Sequence, residues 1–213
     1  MKKIVTFYFV VICTFLLTIP IQYGNATSVL QVSLDEIIQK SQFVFEGKVT
    51  SLETEKNSQK RIHTYITFEI TDIIKGEYNS NIIKLRFLGG TVGDLTLAVG
   101  DMQYPKEGEH GIYFVESLDR FQVNPLYGWS QGHFLVERDA KGIERVLTNK
   151  GLPVTGVTDD VSNQQTAAGK ENTLSLSKGV VRDLSVAEDA KDNGGLSLDE
   201  FKKVLYQRMG KSQ

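Results

Sequence analysis

The residue types that carry chemistry in this chain are few and widely spaced. The three histidines, His63, His110 and His133, do not fall in H-E-x-x-H, the spacing that sets two imidazoles on one helical face around a zinc ion. Glu107, Glu109 and His110 crowd a turn flanked by Gly108 and Gly111, where solvated charge is the ordinary outcome. His63 and His133 each open a predicted strand. Trp129-Ser-Gln-Gly132 lacks the first glycine of the G-x-S-x-G nucleophile elbow and the α/β pattern around it. Gly89-Gly-Thr-Val-Gly93 lacks the lysine and the strand–helix context of a phosphate-binding loop, and fits a sheet corner. No catalytic residue is assigned and no cofactor is expected; a hydrolase with an unfamiliar site stays as an alternative, requiring the fold to bring a histidine and carboxylates together.

Two other groups deserve a ligand-binding test. Asp189-Ala-Lys-Asp-Asn-Gly-Gly-Leu-Ser-Leu-Asp-Glu200 follows the EF-hand loop, with Asp189, Asn193 and Glu200 at positions 1, 5 and 12 and Gly194 at the turn. Lys191 stands where an oxygen ligand belongs, so a polar linker followed by a capped helix explains the same residues, and no metal is assigned. Phe121, Tyr127 and Trp129 surround a loop with Pro125 and Gly128. They are the candidate ligand-binding residues, against the plainer reading that Trp129 plugs the end of a sheet.

These residues need elements to position them. Ser33-Leu-Asp-Glu36 and Ser197-Leu-Asp-Glu200 repeat the S-x-x-E capping box, each framed by a hydrophobic staple: Val32 with Ile37, and Leu196 with Phe201. Helices are predicted over 34–40 and 198–209. Between them Phe43–Leu52, Ile62–Ile74, Ile82–Leu88, Leu95–Val99, Ile112–Val115, His133–Glu137 and Ile143–Leu147 read as strands. Ile62, Thr64, Ile66, Phe68, Ile70 and Ile74 are expected on one face, and 53–60 as a hairpin loop. From 158 to 195 large apolar residues are few, too few to offset ordering entropy; a flexible polar linker is expected, with a short ordered piece near 174–184. The expected fold is mainly β, a small OB-type five-stranded barrel over 27–157 with a short N-terminal helix, the linker over 158–195 and a C-terminal helix within 196–213.

The first 26 residues carry the pattern of an export signal. Lys2 and Lys3 precede the uncharged run Ile4–Ile19, Pro20, and a more polar stretch ending in Gly24 and Ala26. As a helix that run spans roughly 24 Å, short of the ~30 Å hydrocarbon core, which favours cleavage over a membrane anchor. Val11 and Ile12 before Cys13 do not form a lipobox, so no stable membrane anchor is expected after cleavage. Removing residues 1–26 of 213 leaves 187, without the sole cysteine. That excludes disulfides, thiolate metal sites and a cysteine nucleophile. The remaining 22 basic and 26 acidic side chains argue against a general nucleic-acid or anionic-membrane binder. The localisation expected is exported, periplasmic or secreted.

Ser41-Gln-Phe-Val-Phe-Glu-Gly-Lys-Val-Thr50, Phe68-Glu-Ile-Thr-Asp-Ile-Ile-Lys-Gly-Glu77, Leu88-Gly-Gly90 and Gly108-Glu-His-Gly-Ile-Tyr-Phe-Val115 resemble the strands and turns of netrin/TIMP-like OB-fold domains of secreted bacterial proteins, over roughly 30–150. The resemblance implies a five-stranded OB-type barrel. Animal members of that superfamily inhibit metalloproteases through an N-terminal cysteine that chelates the zinc; here the predicted mature N-terminus is Thr27. The function expected is a non-enzymatic module that binds a protein or glycan outside the inner membrane. The alternative drawn from the resemblance is a modulator or inhibitor of a co-secreted metalloprotease.

Overall fold

The structure, a computed structural model, describes residues 29–158, 180–187 and 195–210. The predicted signal segment 1–26 lies outside them. The elements in chain order are α1 (Leu34–Lys40), β1 (Phe43–Lys56), β2 (Ile62–Lys75), β3 (Ile82–Leu88), β4 (Gly90–Val92), β5 (Leu95–Leu97), β6 (His110–Val115), a 3₁₀ turn (Trp129–Gly132), β7 (His133–Arg138), β8 (Glu144–Thr148), β9 (Val154–Val157), β10 (Leu184–Val186) and α2 (Leu198–Arg208). The chain is mainly β. Its main sheet is antiparallel and six-stranded, in the order β3-β2-β1-β6-β7-β8, beside two-stranded β9–β10 and β4–β5. Among the described residues no helix is long and apolar enough to cross a membrane.

Consecutive apolar residues on β1 dictate how this sheet is covered. Phe43, Val44 and Phe45 are all buried, yet successive strand residues point to opposite faces, so both faces must be packed. Phe43 and Phe45 join Ile66, Phe68, Phe87, Tyr113 and Leu126 in one core. There the Phe45 and Phe68 rings meet edge-on at 5.5 Å, and those of Phe68 and Tyr113 at 4.6 Å. Val44 belongs to a second core with Ile112, Phe114, Phe134, α1, α2 and the β9–β10 pair. Fully burying such side chains contributes roughly 1.5–3 kcal/mol each.

Both predicted caps form, with one difference. Ser197 and Glu200 make the reciprocal capping box of α2. At α1 the Ser33 side chain accepts from Glu36 N–H at 3.1 Å, but the Glu36 carboxylate instead accepts from the Tyr127 hydroxyl at 2.8 Å. Another acceptor, Asp183 Oδ1, takes the Leu34 N–H at 2.7 Å. Asp183 belongs to the segment 180–187, inside the expected linker. Val181 and Leu184 there are buried, so these eight residues are a packed strap; it overlaps the ordered piece expected near 174–184 at 180–184 and runs on to 187.

Two further expectations change. The 53–60 loop is shorter, because β1 runs on to Lys56 against Ile62. Ile74 lies in the helix-side core while Ile73 packs in the aromatic one. The register shifts beside Phe45 and Gly47 each skip a β2 residue, and a bulge turns the residues beyond it to the other face. The five-stranded closed barrel is not seen: β3 and β8 end the sheet without pairing to each other.

α2 docks through an ionic cluster as well as through Phe201 and Leu205, both fully buried. Lys202 pairs with Glu46 of β1 and reaches Asp72 Oδ2 at 2.7 Å. His110 Nε2 lies 2.8 Å from Glu46 Oε1. Burial raises the Glu46 pKa, but the His110 and Lys202 hydrogen bonds, the Lys202 charge and a Thr71 hydrogen bond outweigh it and hold the carboxyl at about 2. A depressed carboxylate pKa adds stability that is present above the ordinary glutamate value and lost as pH falls toward the folded one. Thermal unfolding followed by circular dichroism is expected to lose about 3 kcal/mol from this group between roughly pH 5 and 2. In Lys202→Met the deficit against wild type is largest at neutral pH, on the order of 3 kcal/mol, and narrows in acid as Glu46 protonates.

Candidate functional site

The unclosed sheet leaves a seam. After β6 the chain leaves at Glu116 and returns at Leu126, which bridges Val115, while Glu116 N–H donates to Pro125 C=O at 2.9 Å. This excursion lies beside β3. Leu88 N–H donates to Val123 C=O at 2.8 Å, and the Tyr104 hydroxyl donates to Leu88 C=O at 2.8 Å. Leu88 therefore turns its backbone groups away from β2. By the antiparallel alternation Lys84 and Arg86 do the same, and among the described residues no hydrogen bond reaches them there. The free stretch of β3 borders a cleft of about 140 Å³ lined by Ile83–Arg86, Tyr78, Ser117, Leu118, Arg120–Gln122 and Pro125.

The cleft is apolar at its rim and cationic along its wall. Phe121, on its lining, is 82% exposed, while Ile82 at 53% and Val123 at 42% stand exposed toward opposite ends of β3. The Arg86 guanidinium carbon stands 3.7 Å over the Phe121 ring centroid. Arg86 Nε and Gln122 Oε1 are buried and have no hydrogen-bond partner among the described residues. Lys84 is held by Glu53 at 2.6 Å, and exposed Arg120 faces Glu116 at 3.6 Å. The lining includes Lys84, Arg86 and Arg120 and no carboxylate. The Arg86 charge also helps to lower the pKa of buried His63, after desolvation.

The three aromatic residues singled out from sequence do not form one surface. Phe121 stands at the cleft. Tyr127 packs against the helix-side core, and burial together with its bond to Glu36 pushes its pKa up to about 12. Trp129 is half-buried and opens the 3₁₀ turn with a left-handed φ of 58°. Of the EF-hand-like set, Asp189 and Asn193 lie outside the described residues. Glu200 Oε2 accepts from Ser197 N–H at 2.8 Å, so its carboxylate serves the helix cap. Arg86 and Gln122 escaped the sequence reading. The outward alternation of Lys84 and Arg86 against Ile83, Leu85 and Phe87 was the available signal, but nothing in it marks the strand as an open edge.

The histidines go to separate places. His133 is buried, its ring stacked 4.8 Å from that of Tyr113, and His133 Nε2 lies 2.9 Å from Glu109 Oε1, an approach whose angles make no hydrogen bond. Among the described residues the buried Tyr113 hydroxyl has no hydrogen-bond partner, and burial, then the Glu109 charge, raise its pKa. His110 belongs to the Glu46 cluster instead. Among the described residues no group of three or more His, Cys, Asp or Glu is placed to hold a metal ion.

Compared with known proteins, the chain matches no family model, no curated protein and no solved structure.

Two stability measurements separate site from scaffold. Phe121→Ala is expected to change unfolding free energy by less than about 0.5 kcal/mol, because the ring is exposed. Tyr113→Phe is expected to stabilise by about 1 kcal/mol, because it removes a buried hydroxyl that makes no bond. Urea titrations of both variants read these values directly.

Proposed function

We propose that this chain is an exported, non-enzymatic binding module that takes an extended polypeptide segment as an added strand along β3. The observation that carries this reading is the free edge at Lys84 and Arg86, set in a cleft that the exposed Phe121 ring lines. Strand addition draws affinity from main-chain hydrogen bonds and selectivity from alternate side chains, and this edge offers both. A row of edge N–H and C=O groups suits a polypeptide better than a glycan. Export rests on the residue pattern of 1–26. The finer fold reading, an OB-type barrel of the netrin/TIMP-like kind whose seam stays open, is part of the same proposal. Its support is the central place of β1, paired with β2 on one side and β6 on the other and bent by bulges.

Amide NMR tests the reading with a capped octapeptide of alternating valine and glutamine as probe. Shift changes and slowed amide exchange are expected at Lys84, Arg86 and 117–123. Lys84→Pro removes an outward N–H that β2 does not use, a place where an edge strand tolerates proline. It is expected to abolish binding while Lys84→Gln keeps it, with both variants retaining the wild-type circular dichroism spectrum. Perturbations that map elsewhere, no binding up to millimolar peptide, or binding that survives Lys84→Pro overturns the reading.

A further inference from the structure

The chemistry of the cleft wall says which segments it selects. Resting on the strand-addition reading, we infer that the segment taken along β3 is acidic, and that a side-chain carboxylate on it is bound by Arg86. Among the described residues Arg86 is the lining cation that no carboxylate pairs with: Lys84 is held by Glu53 at 2.6 Å and Arg120 faces Glu116 at 3.6 Å. The Phe121 ring lies against the Arg86 guanidinium, its centroid 3.7 Å from the guanidinium carbon. A guanidinium held against a ring at this distance is oriented by the contact, and N–H groups in its own plane stay free to meet a ligand. That is the preorganised fork that meets a carboxylate in two parallel hydrogen bonds.

The side-chain alternation agrees. Ile83, Leu85 and Phe87 point into the aromatic core, which leaves Lys84 and Arg86 on the other face of β3. A strand laid beside β3 places alternate residues on that face, directly beside the two cations, where opposite charges stabilise a cross-strand pair and like charges oppose it. A second copy of the chain, added edge to edge through β3, would set Lys84 and Arg86 against their own equivalents. The same charges that admit an acidic strand thus disfavour self-pairing.

Fluorescence polarisation on the full chain tests this with three labelled octapeptides, capped at both ends so that only side-chain charge differs: the valine–glutamine probe, its valine–glutamate counterpart and its valine–lysine counterpart. The glutamate peptide is expected to bind about tenfold tighter than the glutamine peptide, the worth of one charge-assisted contact, and the lysine peptide more weakly than both. Arg86→Gln is expected to erase the glutamate preference while the glutamine peptide keeps its affinity. Phe121→Ala is expected to reduce the preference with Arg86 in place. Equal affinity for all three peptides overturns the inference and leaves strand addition standing. A glutamate preference that survives Arg86→Gln also overturns it. Absence of binding by every peptide sinks the strand-addition reading itself. Sedimentation revealing a dimer that Lys84→Pro dissolves overturns the inference in favour of a second copy as occupant.

Discussion

Everything in this fold answers to one constraint: β1 begins with three buried residues in a row, Phe43-Val-Phe45. A strand that is apolar on both faces cannot sit in a sheet with one wet side. One face is covered by the sheet's own curl, which folds β2, β3 and the 117–126 excursion over Phe43 and Phe45. The other is covered by α1, α2 and the β9–β10 pair over Val44. Glu46 interrupts the apolar series on that second face, and its burial explains the ionic side of α2 docking. An unpaired buried carboxylate would be strongly destabilising. Lys202 and His110, with a hydrogen bond from Thr71, are the groups that make its position tolerable.

Curling without closing follows from the same arrangement. β1 supplies both of its edges to pairing, β2 on one side and β6 on the other. The bulges beside Phe45 and Gly47 add bend where the two pairings overlap, as bulges do. The bend brings β3 round toward the far end of β6, and Gly89 and Gly90, with φ of 95° and 125°, turn the chain sharply just past β3. A side chain on Gly90 would run into Thr64 and Thr54, so the corner is closed as tightly as glycine permits. Even so, the seam is joined by the single backbone bond from Leu88 to Val123 among the described residues.

Much of the local structure was legible in the sequence because its signals are local. A serine three residues before a glutamate, framed by a staple, marks a helix start wherever it falls, and both did. Alternating aromatic and β-branched residues gave the long strands. What was not legible depends on pairing across the chain. No residue type announces the β2 bulge at Thr71 that puts Ile73, in place of Ile74, on the face of Ile70. The four residues of β9 and three of β10 become strands only against one another. The EF-hand-like pattern at Glu200 and the helix cap use the same letters, and sequence alone cannot tell which one takes the carboxylate. At the candidate site, Phe121 was found by its type, but Arg86 needed the knowledge that β3 is an edge, which is a property of the whole sheet.

The two edges of that sheet are treated differently, and the contrast bears on function. β8 is covered by the chain itself: Leu196 C=O accepts from Val146 N–H at 3.0 Å, and bridges at Ser197 and Pro153 flank it. β3 keeps a free stretch guarded by Lys84 and Arg86. Charged residues on an open edge are a familiar defence against unwanted pairing, and Lys84, spread over solvent and tied to Glu53, fits that role. Arg86 fits it poorly. Its charge is laid against an aromatic ring, and the ring itself is left 82% exposed beside the open edge. A purely defensive edge has no use for a large apolar side chain at its border, since that invites the association it should prevent. An edge that must admit one kind of strand and refuse others has use for both: the ring for contact area, and an oriented cation to discriminate by charge.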